Sequence, residues 1–174
     1  MRRYYYVSWI AAICLAASLE AKASGHRSSY SAGEDDSPLK SFCVRFSPHT
    51  QYTLVYFFPN ALCQNLCMRQ ALSIRALNEE YREIGVAVIG ITDDEPAYVG
   101  QFIKRLNLSF PILSDSSQKL MKLFGVPCVY PGRSDPERFA FLLKKGEILK
   151  TYYNINVDTF ATDVVADVIR FSSR

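Results

Sequence analysis

The sequence predicts an α/β fold in which helices flank a sheet of largely parallel strands. Two apolar runs rich in β-branched and aromatic residues, Thr53–Phe58 and Val86–Ile91, have the composition of strands that are buried on both faces. An amphipathic helix pattern follows each run, over residues 64–84 and 96–106. Strands and helices that alternate in this order are joined by right-handed crossovers, so the strands lie parallel.

Shorter patterns complete the predicted fold. Residues 40–46 predict a first strand, because Phe42, Val44 and Phe46 alternate with Cys43 and Arg45, a period of two that suits a strand with one buried face. The segments 92–94 and 114–115 carry hydroxyl and carboxylate side chains that are expected to cap helices. The later elements are a short strand over 110–113 and a helix over 116–124 that ends at Gly125. A Pro-rich loop over 126–137, a hairpin over 138–153 and a last amphipathic helix over 157–171 follow.

The composition is that of one globular domain with a packed core. A length of 174 residues favours a single domain. Hydrophobic residues make up 49% of the chain and charged residues 21%, which excludes collagen-like, coiled-coil and wholly disordered proteins. The net charge of +3 is too small to direct the chain to nucleic acid or to an anionic membrane, so neither is expected as a partner of the mature protein.

The first 23 residues have the layout of a secretory signal peptide. Arg2 and Arg3 precede the apolar run Val7–Ala17, and the small residues Ala21 and Ala23 mark a cleavage site. The apolar run is shorter than the roughly 20 residues that a membrane-spanning helix needs, so an uncleaved anchor is the less favoured alternative. We therefore expect cleavage after Ala23 and export to a periplasmic, secreted or endomembrane-derived compartment.

The mature chain is predicted to consist of a leader and one domain. Residues 24–39 hold Ser, Gly and acidic residues with few bulky apolar groups, which predicts a flexible leader. The domain is then expected to occupy residues 40–174. Four cysteines remain after cleavage, in a compartment that permits disulfides: Cys43, Cys63, Cys67 and Cys128.

Cys63 and Cys67 lie between the first buried strand and its helix. The carboxyl ends of strands are where α/β proteins place their sites. In the first turn of a helix, unpaired N–H groups and the positive end of the helix dipole stabilise a thiolate. Cys67 is therefore a candidate nucleophile. In the alternative interpretation, one or both cysteines are buried apolar side chains or form a permanent disulfide.

Several motifs between Thr53 and Val126 indicate a family. They are a long helix leading to GVAVIGIT, the segment FPILSD and the ending KLFGV, and the similarity continues through RFAFLLKKGEI. Together these motifs resemble the peroxiredoxins, especially the bacterioferritin-comigratory or Q type. The resemblance implies a thioredoxin-like fold with a central mixed sheet. It also implies an enzyme that reduces hydroperoxides with a thioredoxin-like or small-thiol reductant and needs no cofactor or metal.

The resemblance assigns roles to individual residues. In the family the attacking cysteine opens the first helix, which corresponds to Cys67 and not to Cys63. An arginine ahead of the later hairpin strand stabilises the thiolate and orients the peroxide, and Arg138 matches its setting. We expect the Cys67 sulfur to be reachable and to face Arg138. Cys63, Cys128 or an external thiol would then resolve the sulfenic acid.

The chain departs from the family pattern ahead of Cys67. The interval from Pro59 to Cys67 is one residue longer than in the family, and no Thr or Ser lies between them. The hydroxyl group that contacts both thiolate and peroxide in the family is therefore missing. The position five residues after the attacking cysteine, which holds the resolving cysteine of many Q-type members, is Leu72.

Two other functions remain open. Cys63 and Cys67 form a CxxxC motif that is similar to the copper site of Sco-type assembly factors, and thiolates bind Cu(I) well. That family adds a histidine near the late hairpin, whereas the histidines of this chain are His26 and His49. A thiol–disulfide exchange protein without peroxidase activity is the other alternative, although the thioredoxin type carries CxxC and a proline where Arg138 stands.

Overall fold

A computed structural model describes residues 37–59, 65–130, 133–136 and 138–173, with side chains for all of these except residues 128–136. The predicted signal peptide, most of the predicted leader and Cys63 lie outside the described residues. Residues 36–174 group into one compact unit. Within the described part of the chain, no helix is both long enough and apolar enough to cross a membrane.

The strands of the described residues form a five-stranded and a two-stranded sheet. In chain order they are β1 (Tyr52–Phe57), β2 (Val86–Thr92), β3 (Ile112–Ser114), β4 (Cys128–Tyr130), β5 (Arg133–Pro136), β6 (Phe139–Lys144) and β7 (Glu147–Tyr152). The large sheet has the order β3-β2-β1-β6-β7, with β1 to β3 parallel and with β6 antiparallel to both of its neighbours. The predicted mixed sheet is confirmed. β4 and β5 pair with each other in a segment that the sequence predicted to be a loop.

Helices pack on both faces of the five-stranded sheet. They are α1 (Pro38–Phe46), α2 (Leu66–Ala76), α3 (Asn78–Glu83), α4 (Pro96–Leu106), α5 (Lys119–Phe124) and α6 (Phe160–Ser172). The main core lies between the sheet and helices α2, α3, α4 and α6, and it includes Leu54 and Tyr56 of β1. Neighbouring residues of a strand point to opposite faces. Accordingly, Phe57 contacts Phe124 of α5 on the other face, and Phe124 contacts Phe42 of α1.

The first predicted strand is wrong, since residues 38–46 form helix α1. The structure has a helical period here: Phe42 and Phe46 lie one turn apart with ring centroids at 4.8 Å, while Val44 is 64% exposed. Pro38 occupies the first turn, where its missing N–H removes no hydrogen bond. Over so few residues, an alternating pattern does not distinguish a strand from a helix. The fold also begins slightly before the predicted Lys40.

The predicted helix over residues 64–84 is two helices, α2 and α3, that meet at Leu77. Two arginines fix α2 to its neighbours. Arg69 forms an ion pair with Asp158 ahead of α6, and Arg75 donates to the carbonyl oxygen of Leu106 at the end of α4, at 2.6 Å. The amino-terminal turn of α2 is therefore held above the carboxyl end of β1.

Candidate active site

Cys67 lies in the first turn of α2 and faces the sheet. It shares the buried face of this helix with Gln70, Ala71 and Ile74, at the spacing of one helical stripe. Leu66, the apolar residue that precedes Cys67 in the helix, is 43% exposed. The Cys67 side chain is 1% exposed, so the sulfur is less accessible than expected from the sequence.

Arg138 contacts the Cys67 sulfur. One of its terminal nitrogens, Nη2, donates to Cys67 Sγ at 3.2 Å. The sheet produces this contact, because Phe139 of β6 pairs with Phe57 at the end of β1, and Arg138 is the next residue outward. The structure thus brings together the two residues that the sequence singled out. A guanidinium at hydrogen-bond distance stabilises a thiolate relative to the neutral thiol.

Two polar side chains near Cys67 were not predicted from the sequence. Gln70 is fully buried one turn after Cys67 on the same face of α2. Tyr56 of β1 is 1% exposed and belongs to the same core cluster as Cys67. Burial, followed by the negative charge of Cys67, raises the pKa of Tyr56 well above its usual value of 10.0. Gln70 could have been found as a polar residue on the apolar stripe, whereas no pattern distinguishes Tyr56 from its apolar neighbours in β1.

The other cysteines differ in how far the structure describes them. Cys63 lies outside the described residues, and Cys128 lies on β4 with its side chain outside the described part. Cys43 is a buried thiol on α1, across the five-stranded sheet from Cys67. A disulfide needs Cα atoms within about 7 Å. Cys43 is therefore not positioned to pair with Cys67 in the folded protein.

The carboxylates that were expected to cap helices do so in part. Asp115 accepts the backbone N–H groups of Leu120 and Met121 at 3.1 and 2.9 Å, which confirms it as a cap of α5. Asp94 instead accepts a hydrogen bond from Thr92 Oγ1 at 2.9 Å. Among the residues that the structure describes, no three His, Cys, Asp or Glu side chains lie close enough to hold a metal ion. The predicted copper site depends on Cys63, which is not among them.

These features define a class of protein. A mixed sheet in the order β3-β2-β1-β6-β7, with a cysteine opening the helix after β1 and an arginine ahead of β6, is a thioredoxin-like α/β fold with a thiol site. The model of the AhpC/TSA family matches residues 42–152, which is more than half of the chain. The chain belongs to the AhpC/TSA family.

The known proteins to which the chain is similar include Q-type peroxiredoxins. It is 34% identical to the chloroplastic peroxiredoxin Q of Populus jackii over 101 residues, 58% of this chain and 46% of the relative. The bacterioferritin comigratory protein of Xanthomonas campestris superposes with a TM-score of 0.63 at 22% identity, covering 71% of this chain and 82% of that protein. Peroxidoxin BcpB of Mycobacterium tuberculosis superposes with a TM-score of 0.67 at 22% identity, covering 74% of this chain and 84% of that protein.

These similarities confirm the family resemblance and the thioredoxin-like fold that the sequence predicted. At 22% identity the two solved structures bear on the fold alone. The chain spans about half the length of the curated relatives that it matches.

Proposed function

We propose that this protein is a thiol peroxidase in which Cys67 reduces hydroperoxides. The observation that carries the proposal is the 3.2 Å contact between Arg138 Nη2 and Cys67 Sγ at the start of α2. A thiolate held by a fixed cation and by a helix amino terminus is an activated nucleophile. The similarity to chloroplastic peroxiredoxin Q supports the same chemistry.

The reaction is a two-electron oxidation of sulfur. The Cys67 thiolate attacks the terminal oxygen of ROOH, so that an S–O bond forms as the O–O bond breaks. The peroxide's proton passes to the departing alkoxide, which leaves as the alcohol, and Cys67 becomes a sulfenate. The sulfenate takes up a proton from solvent to become the sulfenic acid, and Cys63, Cys128 or an external thiol then attacks its sulfur, so that an S–S bond forms as the S–O bond breaks and water leaves. A thioredoxin-like protein or a small thiol reduces that disulfide.

The burial of Cys67 adds a constraint on this reaction. A side chain that is 1% exposed meets an oxidant only during a local opening of the structure or through a narrow path. Small hydroperoxides are therefore expected to react faster than bulky ones of the same intrinsic reactivity.

The test compares two buried cysteines on opposite faces of the sheet. Purified full chain is treated with hydrogen peroxide and a thiol reductant, peroxide consumption is followed, and oxidised cysteines are mapped by mass spectrometry. We expect Cys67→Ser to abolish consumption and sulfenic acid formation. Cys43→Ser is the matched control and should consume peroxide at the wild-type rate. Unchanged consumption in Cys67→Ser would disprove the proposal.

We further propose that the protein is exported through residues 1–23. The paired arginines, the apolar run and the small residues at Ala21 and Ala23 support this. Expressed in a secreting host, the full chain should be recovered outside the cytosol with Ser24 as its amino terminus, as read by intact mass. Substitution of Ala23 by Leu should block cleavage, because a large side chain does not fit the small-residue site. Recovery of the wild type with residues 1–23 still attached would contradict the proposal.

A further inference from the structure

Two buried polar side chains beside Cys67 lack hydrogen-bond partners among the described residues. They are Tyr56, through its hydroxyl, and Gln70, through both amide atoms. Tyr56 is 1% exposed and Gln70 is 0% exposed, so bulk water does not satisfy these groups. The large majority of buried polar side-chain atoms in native proteins have a partner, because an unsatisfied one costs free energy. Two such groups around one reactive sulfur indicate a site for a polar ligand.

The helix directs Gln70 toward the sulfur. Gln70 follows Cys67 by one turn of α2, and the two belong to the same buried stripe. Side chains of a helix lean toward its amino terminus, so the Gln70 amide extends over the turn that carries Cys67. A shorter apolar residue such as Ala71 fills the same stripe without burying an amide. Packing alone does not account for glutamine at this position.

The strand holds Tyr56 on the same side of the sheet. Its ring stacks on Phe58 with centroids at 5.5 Å and meets the edge of Phe110 at 6.1 Å. It also lies over Gly90, where a Cβ atom would stand 3.0 Å from the phenol oxygen. Tyr56 and Cys67 belong to the same buried cluster on this face of the sheet, and the charge of Cys67 contributes to the raised pKa of the phenol. Phenylalanine would keep these ring contacts without the cost of the hydroxyl.

We propose that the Gln70 amide and the Tyr56 hydroxyl bind the oxygen atom that is transferred to Cys67. This inference rests on the proposed peroxidase function and deepens it. It names two hydrogen-bonding groups for the bound peroxide and for the sulfenate that forms from it. They compensate for the hydroxyl side chain that is missing between Pro59 and Cys67.

The chemistry of these groups suits an oxygen that gains negative charge. As the thiolate attacks, the O–O bond breaks, the alcohol ROH leaves and the oxygen retained on sulfur becomes the anionic end of Cys67–SO⁻. An amide N–H and a phenolic O–H each donate to such an oxygen, and donors fixed in advance in a dry site stabilise the transition state. The phenol is suited to this role because it remains protonated, and the transfer needs no reactant beyond the peroxide.

The test removes each polar group and keeps the shape of its side chain. Tyr56→Phe and Gln70→Met are compared with Tyr81→Phe, a control that removes a buried hydroxyl bonded to the Ala161 carbonyl oxygen at 2.7 Å, away from the site. For each full-length protein, the rate constant of Cys67 oxidation by hydrogen peroxide is measured by trapping the sulfenic acid with dimedone. The rate of Cys67 alkylation by iodoacetamide is measured in parallel, since that reagent transfers no oxygen, and thermal stability is recorded.

We expect the peroxide rate to fall about 10-fold or more in Tyr56→Phe and in Gln70→Met, as for the loss of a hydrogen bond to a charged group. Iodoacetamide alkylation should change little, and neither variant should lose stability, because each removes an unsatisfied group. Tyr81→Phe should show the reverse pattern, with lower stability and an unchanged peroxide rate. A wild type that oxidises Cys67, together with variants that keep its peroxide rate, would overturn this inference alone. A wild type inert to peroxide would overturn the proposed function and this inference with it.

Discussion

At the scale of single residues, the geometry of Arg138 controls the environment of the Cys67 sulfur. Its guanidinium is planar and always charged, and it presents several N–H donors in a fixed fork. One of these donors reaches Cys67 Sγ at 3.2 Å, and the planar fork fixes the directions of the others relative to the sulfur. Lysine would carry the same charge on a flexible stem without the fork.

Substitutions of Arg138 separate charge from geometry. We expect Arg138→Met to lower the rates of both peroxide oxidation and iodoacetamide alkylation of Cys67 by about 10- to 100-fold, because a charge-assisted hydrogen bond to the thiolate is lost. Arg138→Lys should recover much of the alkylation rate but less of the peroxide rate. The measurement is stopped-flow kinetics with each reagent.

The matched control for Arg138 is Arg82→Met. It removes an arginine of α3 that forms an ion pair with Glu79 of the same helix, away from Cys67, so both rates should stay at wild-type values. Equal losses of both rates in Arg138→Lys and Arg138→Met would show that the fork geometry, and not the charge, decides the reactivity of the thiolate.

Sequence reasoning found the site residues whose side-chain chemistry or family motif singles them out. It missed the polar residue whose role depends on being buried next to the site. Cys67 was found because a cysteine at the start of a helix has a distinct chemistry, whereas Arg138, one of twelve arginines, was found through the setting that the family resemblance supplied. Tyr56 was missed because an aromatic residue in an apolar strand is normal. Its significance is that its hydroxyl has no partner among the described residues, a property of the packed core that no local pattern reveals.

At the scale of elements, the buried strands and the helix α4 were predictable, whereas the longest predicted helix, over residues 64–84, is two helices and the short segments were not predicted. The continuous apolar runs of β1 and β2 and the amphipathic pattern of α4 correspond to single elements within a few residues. Helix α1 was mistaken for a strand because nine residues hold too few periods, and its identity depends on where Phe42 packs. β4 and β5 are too short to show an alternating pattern, and they gain hydrogen bonds only by pairing with each other.

At the scale of the whole molecule, buried phenol groups connect helix α6 to strand β7 and to helix α3. Tyr152 of β7 donates to Asp167 of α6 at 2.8 Å, and Lys150 and Arg170 form ion pairs with the same carboxylate. Tyr81 of α3 donates to a carbonyl oxygen of α6. Burial, and then the hydrogen bond to Asp167, raise the pKa of Tyr152. Burial, and then the charge of Asp163, raise the pKa of Tyr81.

The raised tyrosine pKa values predict a loss of stability in alkaline solution. Above pH 10, tyrosines of the unfolded chain release protons, whereas Tyr56, Tyr81 and Tyr152 keep theirs in the folded state. The unfolded state then binds fewer protons, so the free energy of unfolding falls as the pH rises. The contribution of these groups is present in full below pH 10 and is lost above it, by at most about 1.4 kcal/mol per pH unit for each tyrosine.

Substitution by phenylalanine tests this linkage one tyrosine at a time. The free energy of unfolding is measured by urea denaturation between pH 8 and pH 11 for the wild type, Tyr81→Phe, Tyr152→Phe and the exposed control Tyr153→Phe. Tyr81→Phe and Tyr152→Phe should be less stable than the wild type at pH 8, because each loses a buried hydrogen bond of roughly 1 kcal/mol. Above pH 10 their stability should fall less steeply, because one titrating group has been removed. Tyr153 is 67% exposed, so its substitution should leave the slope unchanged. Parallel slopes in all four proteins would mean that the buried phenols do not cause the alkaline unfolding.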